Sequence, residues 1–123
     1  MGSVVGIGVD ITETEKVYKA IQKESFLRRC YTNKEQELIK KRKSSAVCNF
    51  AGKEAVAKAL GTGFSKFWPA DVEVLRMENG KPYINLYGKA KETADELGIT
   101  KIHISLSDIK EMAVAYVVAE RED

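Results

Sequence analysis

Residues 50–63 read FAGKEAVAKALGTG, a run of small residues that carries a glutamate and a lysine four positions apart. At that spacing Glu54 and Lys58 share one face of a helix. As an exposed ion pair they would stabilise that helix by only about 0.2–0.5 kcal/mol. Gly52 costs about 1 kcal/mol against alanine inside a helix. The small residues therefore indicate that other backbone, or a ligand, approaches this helix closely.

The residues before this stretch predict one strand and two further helices. Side chains alternate along residues 4–11, and one face of the strand carries Val5, Ile7, Val9 and Ile11. Asp10 lies on the other face, with Val4 and two glycines. Thr12 followed by Glu15 matches a capping box and predicts a helix to about residue 23. Thr32 followed by Glu35 predicts another to about residue 42.

The central helix and the residues after it complete the fold prediction. Ser44 or Ser45 is the expected N-cap of the central helix, and Gly61 is expected to end it. Residues 70–77 and 82–87 predict a hairpin with an Asn-Gly turn, 88–97 a helix, and 101–107 and 112–120 two final strands. This order predicts an α+β fold in which a mostly antiparallel sheet packs against a long helix. The final strand is apolar on both faces except at Tyr116, which indicates burial on both sides.

Composition predicts one domain over residues 1–123, with 44% hydrophobic and 31% charged residues as in ordinary globular proteins. No apolar run approaches the roughly 18 residues that cross a bilayer, and no signal-peptide pattern is present, so we expect a cytoplasmic protein with no membrane partner. Cys30 and Cys48 lack metal-ligand spacing and His103 is the only histidine. We therefore expect free thiols and no Cys/His metal site.

Positive charge is concentrated between Lys16 and Lys43, where ten basic residues accompany three acidic ones. Such a stretch can attract nucleic acid, an anionic membrane or an acidic protein. Aromatic residues are not interleaved as in a single-stranded nucleic-acid surface, so we expect no nucleic-acid partner. An acidic protein partner and a merely solvated charged face both remain open.

Residues 50–63 resemble the signature of the holo-acyl-carrier-protein synthases, the small phosphopantetheinyl transferases: Phe-Ala-x-Lys-Glu-Ala-x-x-Lys-Ala-x-Gly-Thr-Gly. Every fixed position of that signature is matched. Residues 6–11 (GIGVDI) and 103–108 (HISLSD) also fall where the family has its other motifs, with Gly80-Lys81-Pro82 between them. The resemblance therefore covers nearly the whole chain.

The resemblance implies transfer of 4'-phosphopantetheine from coenzyme A to a serine of apo acyl carrier protein, by a fold of the phosphopantetheinyl-transferase type. It implies that Asp10 and Glu54 bind Mg²⁺ beside the coenzyme pyrophosphate, in agreement with the preference of Mg²⁺ for carboxylate oxygens. Glu54, directly or through a metal-bound water, is the candidate base. Lys58, one turn further on, can reach the same phosphates, and it joins Asp10 and Glu54 as a candidate catalytic residue.

Two other segments are candidate coenzyme contacts. Gly61, Thr62 and Gly63 follow a helix, whose C-terminus repels anions, so they do not form a conventional phosphate loop. We interpret them as a helix cap whose small residues admit coenzyme A. His103 and Ser105 alternate on one face of a strand; this is an ordinary polar face by pattern, but the resemblance implies that it lines the coenzyme pocket. Asp108 receives no role.

Two residues depart from the family pattern. The family commonly has arginine at the position of Asn49, where it helps to bind a coenzyme phosphate; here that contact must weaken or come from residues 40–43. Lys16 stands where the family frequently has arginine, on the helix that meets the carrier protein. The lysine keeps the positive charge but cannot form the bidentate hydrogen bonds of a guanidinium group.

The resemblance also implies a homotrimer with its active site between subunits. Two other functions remain open: a non-catalytic module that binds nucleotide or acidic protein, and a hydrolase of nucleotide pyrophosphates. The Asp10 and Glu54 pair argues against the first, because an anion-binding surface gains nothing from two carboxylates. The second differs only in using water as the acceptor.

Overall fold

The computed structural model describes residues 2–122. Within them the chain forms, in order, β1 (Gly2–Glu13), α1 (Thr14–Ala20), α2 (Glu24–Cys30), α3 (Asn33–Lys41), α4 (Ser45–Ala59), β2 (Val72–Arg76), β3 (Pro82–Leu86), α5 (Gly88–Glu96), β4 (Lys101–Asp108) and β5 (Met112–Glu122). A 3₁₀ turn at Pro69–Asp71 precedes β2. No helix in this part of the chain is long and apolar enough to span a membrane.

The strands form two antiparallel sheets. One has three strands in the order β1-β5-β4, and the other is the β2-β3 hairpin. In the larger sheet Asp10 pairs with Ala115 and Thr12 with Ala113. The α+β fold with antiparallel strands packed against a long helix is thus confirmed, with the strands divided between two sheets.

Helix α4 lies across the inner face of the three-stranded sheet, at a distance that only glycine permits. A Cβ atom at Gly6 would overlap the carbonyl oxygen of Ala59, and one at Gly8 would overlap that of Ala55. Strand and helix backbones are therefore in direct contact. Asp10, two residues beyond Gly8 on the same face of β1, is consequently held beside α4.

Three polar or charged side chains without solvent exposure join α3, α4 and β2: Glu35, Asn49 and Lys53. The Lys53 ammonium donates to Glu35 Oε1 at 2.6 Å and to the carbonyl oxygens of Pro69 and Val72. The Asn49 amide donates to Glu35 Oε2 at 3.0 Å. Burial raises the pKa of Glu35 and lowers that of Lys53, against the effect of their pairing. Removing one partner of such a pair typically costs about 3–5 kcal/mol.

The two predicted capping boxes have opposite outcomes. At Thr32 the prediction is confirmed: Thr32 Oγ1 accepts from the Glu35 backbone at 3.3 Å, and Glu35 Oε1 accepts from the Thr32 backbone at 3.1 Å. At Thr12 the prediction is wrong, because pairing with β5 extends β1 to Glu13 and α1 begins only at Thr14. The predicted helix to residue 23 is also shorter, and α2 follows it as a separate helix.

Both ends of α4 lie at the predicted residues, but only the C-terminal end has the predicted capping hydrogen bonds. Ser44 is the N-cap, but its side chain makes no capping bond and instead accepts from Arg42 Nε at 3.2 Å. At the other end Gly61 has a φ of 79° and its amide bonds to Lys58, while the Thr62 amide bonds to Ala57. This is the Schellman arrangement that a glycine after a helix predicts.

The outer face of the three-stranded sheet carries a row of exposed apolar side chains. The exposed fractions are 60% for Ile7, 53% for Val9 and 64% for Ile11, and Tyr116 beside Val9 is 47% exposed. The predicted face of β1 is corrected at one point, because the register shifts between Val4 and Gly6. Val4 is therefore exposed, whereas Val5 packs against the core. Of β5, only the face toward α4 is fully buried.

Candidate active site

A cleft of about 430 Å³ opens between β1, α1 and α4. Its charged lining residues are Asp10, Glu13, Lys16, Glu54 and Lys58. Asp10 comes from the inner face of β1, and Glu54 and Lys58 from one face of α4. The structure thus brings together the three residues predicted to be catalytic. Phe26 and Phe50 form an apolar wall beside them.

Both carboxylate oxygens of Asp10 have a partner. Lys58 Nζ lies 3.3 Å from Oδ1 and also donates to the Val9 carbonyl at 2.9 Å. The hydroxyl of Thr12 donates to Oδ2 at 2.6 Å. The Asp10 side chain is only 14% exposed, whereas that of Lys58 is 52% exposed and can move to a ligand. Sequence reasoning missed Thr12 because it assigned that hydroxyl to a helix cap.

Glu54 is half-buried in the cleft wall. Burial, and then the negative charge of Asp10, raise its pKa, while Lys58 acts in the opposite direction. Among residues 2–122 its carboxylate has no hydrogen-bond donor. The negative charge of Asp10 disfavours ionisation of Glu54, and a cation bound between the two carboxylates would remove that repulsion. The pair is therefore an electrostatically unfavourable arrangement that a bound cation would relieve.

The donor set fits a hard divalent cation that completes its coordination with other ligands. Within residues 2–122 no group of three His, Cys, Asp or Glu side chains could hold a metal ion. Asp10 and Glu54 alone would hold it, and Mg²⁺ is commonly bound by one or two carboxylates, with waters and substrate phosphates filling the remaining positions. A phosphate-bearing ligand in the same cleft could supply some of those remaining positions.

The Gly61-Thr62-Gly63 segment lies one turn beyond Lys58. A Cβ at either glycine would meet no atom within 4 Å, so the space around both is open. The Thr62 hydroxyl donates to the carbonyl of Gly63 at 2.8 Å. Contact of this segment with coenzyme A stays a prediction.

His103 and Ser105 lie far from this cleft within one chain. They are on β4, on the outer face of the sheet, whereas Asp10 is on the inner face of β1, two strands away. Both are exposed, and His103 Nε2 lies 3.5 Å from a carboxylate oxygen of Glu120. The two residues can complete the site only if it includes a second copy of the chain.

Asn49 cannot contact a ligand, because its side chain is fully buried. Its amide oxygen instead accepts from the guanidinium of Arg76 at 2.8 Å. Arg76 is half-buried and, with Arg42, lines a cavity of about 190 Å³ that also contains Asp108. No carboxylate lies within ion-pair distance of either arginine among residues 2–122. Arg76 was missed because its proximity to Asn49 depends on how β2 packs.

The basic stretch between Lys16 and Lys43 forms a charged surface over α1–α3. All ten of its basic residues are exposed, while Glu35, one of its three acids, is buried. Ion pairs within helices or at their starts engage only a few of them, such as Arg28 with Glu24 at 3.3 Å. The surface therefore carries more positive charge than the sequence count suggests.

Comparison with known proteins agrees with this site. The model of the 4'-phosphopantetheinyl transferase superfamily matches residues 6–117. The holo-acyl-carrier-protein synthase of Lachnoclostridium phytofermentans is 45% identical over 117 residues, which cover 95% of this chain and 96% of that protein.

Solved structures show the same likeness. The acyl carrier protein synthase of Plasmodium yoelii with ADP bound has a TM-score of 0.91 and 31% identity, covering 100% of this chain and 99% of that one. The Helicobacter pylori holo-acyl-carrier-protein synthase in complex with coenzyme A has a TM-score of 0.82 and 32% identity, covering 92% and 98% respectively. With its matched motifs gathered in one cleft, this chain belongs to the 4'-phosphopantetheinyl transferase superfamily.

Proposed function

We propose that this protein is a holo-acyl-carrier-protein synthase, which transfers 4'-phosphopantetheine from coenzyme A to a serine of apo acyl carrier protein. The observation that carries the proposal is the convergence of Asp10, Glu54 and Lys58 on one cleft. Its relatives have this activity by name, and one of them has been solved with coenzyme A. We expect the reaction to take place in the cytoplasm, with no nucleic-acid or membrane partner.

In this reaction the serine oxygen attacks the β-phosphorus of coenzyme A. The bond from that phosphorus to the bridging oxygen breaks, and adenosine 3',5'-bisphosphate leaves. Glu54 accepts the serine proton, directly or through a water, as a general base positioned in the cleft. Lys58 can move from Asp10 to the pyrophosphate and stabilise the charge on the leaving group.

Asp10 and Glu54 would hold Mg²⁺. When bound, the ion would neutralise charge on the pyrophosphate, which is the main requirement of phosphoryl transfer. The support is the unfavourable proximity of the two carboxylates and the absence of a donor to Glu54 within residues 2–122.

We also propose that the chain forms a homotrimer in which another copy covers the outer face of the sheet. The support is the exposed apolar row of Ile7, Val9 and Ile11, since large exposed apolar patches mark interaction sites. His103 and Ser105 lie on that same face. A neighbouring copy would therefore bring them to a cleft that they cannot reach within their own chain.

Arg42 and Arg76 are our candidates for binding the 3'-phosphate of coenzyme A in place of the arginine that Asn49 replaces. Guanidinium groups bind phosphate with directional, charge-assisted hydrogen bonds. Both arginines line one cavity, and neither forms an ion pair with a carboxylate among residues 2–122, although Asp108 lines the same cavity and acts electrostatically on Arg76.

The test is incubation of the protein with apo carrier protein, coenzyme A and Mg²⁺, followed by mass spectrometry of the carrier and analysis of the nucleotide product. We expect the carrier to gain one phosphopantetheinyl group and adenosine 3',5'-bisphosphate to appear in equal amount. A carrier in which alanine replaces the acceptor serine is the control. Nucleotide release with an unmodified carrier would indicate hydrolysis, and no reaction at all would reject catalysis.

A further inference from the structure

We propose that Thr12 is a positioning residue, whose hydroxyl fixes the orientation of the Asp10 carboxylate for cation binding. The inference rests on the proposed function, because it concerns the cation that Asp10 would hold. No motif considered above assigns a role to this hydroxyl beyond the helix cap that the structure excludes.

The geometry around Thr12 leaves its hydroxyl one evident task. Thr12 and Asp10 are two residues apart on β1, so their side chains share the inner face of the sheet. Thr12 is 9% exposed, and its hydroxyl donates to Asp10 Oδ2 at 2.6 Å. Nearby, the backbone amide of Thr14 bonds to the Glu111 carbonyl, so it does not use this hydroxyl.

Of the two side chains that contact Asp10, Lys58 is exposed and can move away, whereas Thr12 is buried and stays in place. Lys58 approaches Oδ1 from an exposed position and is proposed to leave it for the pyrophosphate. Thr12 approaches Oδ2 from a buried strand position, where a β-branched side chain has restricted rotation. When Lys58 moves, the Thr12 hydroxyl is the contact that still prevents rotation of the carboxylate. Each carboxylate oxygen accepts more than one partner, so the hydrogen bond leaves room for a cation.

The experiment measures cation binding directly, with Mn²⁺ as the probe. Free Mn²⁺ is followed by its electron paramagnetic resonance signal during titration of the protein with coenzyme A present. Thr12→Val keeps the size and strand preference of the side chain but removes the donor; Thr12→Ser keeps the donor. Thr100→Val, at an exposed threonine before β4, is the matched control. Circular dichroism melts verify that each variant is folded.

We expect Thr12→Val to bind Mn²⁺ about tenfold more weakly, the lower end of the effect of removing a hydrogen bond behind a metal ligand. Thr12→Ser and Thr100→Val should stay within about threefold of the wild type. Binding by Thr12→Val within twofold of the wild type would overturn the inference, as would equal weakening in Thr12→Ser. If Thr12→Val does not fold, Thr12→Ala is measured against the same limits.

Failure of the proposed function would look different. A wild-type protein that does not modify the carrier contradicts the function itself, and one that modifies the carrier but binds no Mn²⁺ with coenzyme A contradicts the proposed cation site. A wild type that does both, with a variant that binds equally well, contradicts only the role of Thr12.

Discussion

Nζ of Lys58 lies 3.3 Å from Oδ1 of Asp10, although the two residues are 48 positions apart in the chain. A positive and a negative group thus meet at the mouth of the cleft, with the unpaired carboxylate of Glu54 beside them. The Asp10 carboxylate is therefore already paired with the exposed ammonium group of Lys58, whereas the Glu54 carboxylate has no such partner among residues 2–122. It predicts that the two carboxylates act together once a divalent cation and a phosphate ligand enter.

Asp10→Asn and Glu54→Gln should each lower the rate of carrier modification by about 10²–10⁴-fold, because each removes a charge that the pyrophosphate reaction requires. The double variant should be less than tenfold slower than the worse single variant, since residues that act as a unit are not additive. Mass spectrometry of the carrier measures the rates, and Glu92→Gln on exposed α5 is the control. Near-normal turnover in either single variant would remove that residue from the site.

Arg76→Gln should raise the KM for coenzyme A by about tenfold, the expected cost of one charge-assisted hydrogen bond. The KM for dephospho-coenzyme A, which lacks the 3'-phosphate, should change by less than twofold. Steady-state kinetics with the two substrates measure the difference, with Arg28→Gln as the exposed control. Equal changes for both substrates would mean that Arg76 has only a structural role through Asn49.

Reversing charge at Lys23, Arg28 and Arg29 should slow association with the carrier protein, because their surface attracts an acidic partner over a distance. Raising the ionic strength should weaken carrier binding in the wild type as the Debye length falls toward about 8 Å, and less so in the variant. Stopped-flow binding at several salt concentrations measures both. The same reversal at the exposed residues Lys66, Lys89 and Lys91 controls for net charge, and salt-independent binding would show that the carrier docks elsewhere.

Val9→Lys should convert the proposed trimer to a monomer, because it places a charge at the centre of the exposed apolar row. Sedimentation equilibrium should give three times the chain mass for the wild type and one chain mass for the variant. Met77→Lys, at an equally exposed residue on the hairpin loop, should leave the assembly intact. A monomeric wild type at micromolar concentration would contradict the shared site and leave His103 and Ser105 outside it.

Stability should fall above about pH 10 because of Tyr31, which is 1% exposed and donates to the Ala46 carbonyl at 2.8 Å. Burial raises its pKa well above the ordinary value of 10.0. The unfolded chain therefore loses the proton first, and this contribution to stability is complete below pH 10 and declines above it, by up to about 1.4 kcal/mol per pH unit. Urea unfolding at several pH values should show a shallower decline in Tyr31→Phe than in the wild type or Tyr18→Phe. Equal slopes would contradict the assignment.

Features encoded by neighbouring residues were predictable from the sequence. The Asn-Gly pair between β2 and β3 predicts their hairpin, and the capping residues Thr32 and Glu35 predict the start of α3. The Thr12 box failed because cross-strand pairing with β5 outweighed a local capping preference. Its pattern is as good as that at Thr32, so only the tertiary structure distinguishes them.

The residues of the candidate site that belong to the matched motifs were predictable from the sequence. Asp10, Glu54 and Lys58 were named correctly as neighbours, whereas the Thr12 contact and the burial of Asn49 depend on how distant elements pack. The alternation in β1 identified an apolar row but not its exposure. What covers that row lies outside a single chain.

The backbone contact between Gly6, Gly8 and α4 has a consequence for mutation. These glycines touch no substrate in the proposed mechanism, yet they determine the gap between the strand that carries Asp10 and the helix that carries Glu54. An alanine at either position would place its Cβ within 2.0 Å of a carbonyl oxygen of α4, so strand and helix would have to move apart and the proposed cation site would widen. Loss of activity in such a folded variant would reflect a larger distance between Asp10 and Glu54. The two glycines therefore set the width of the proposed active site, although they take no part in its chemistry.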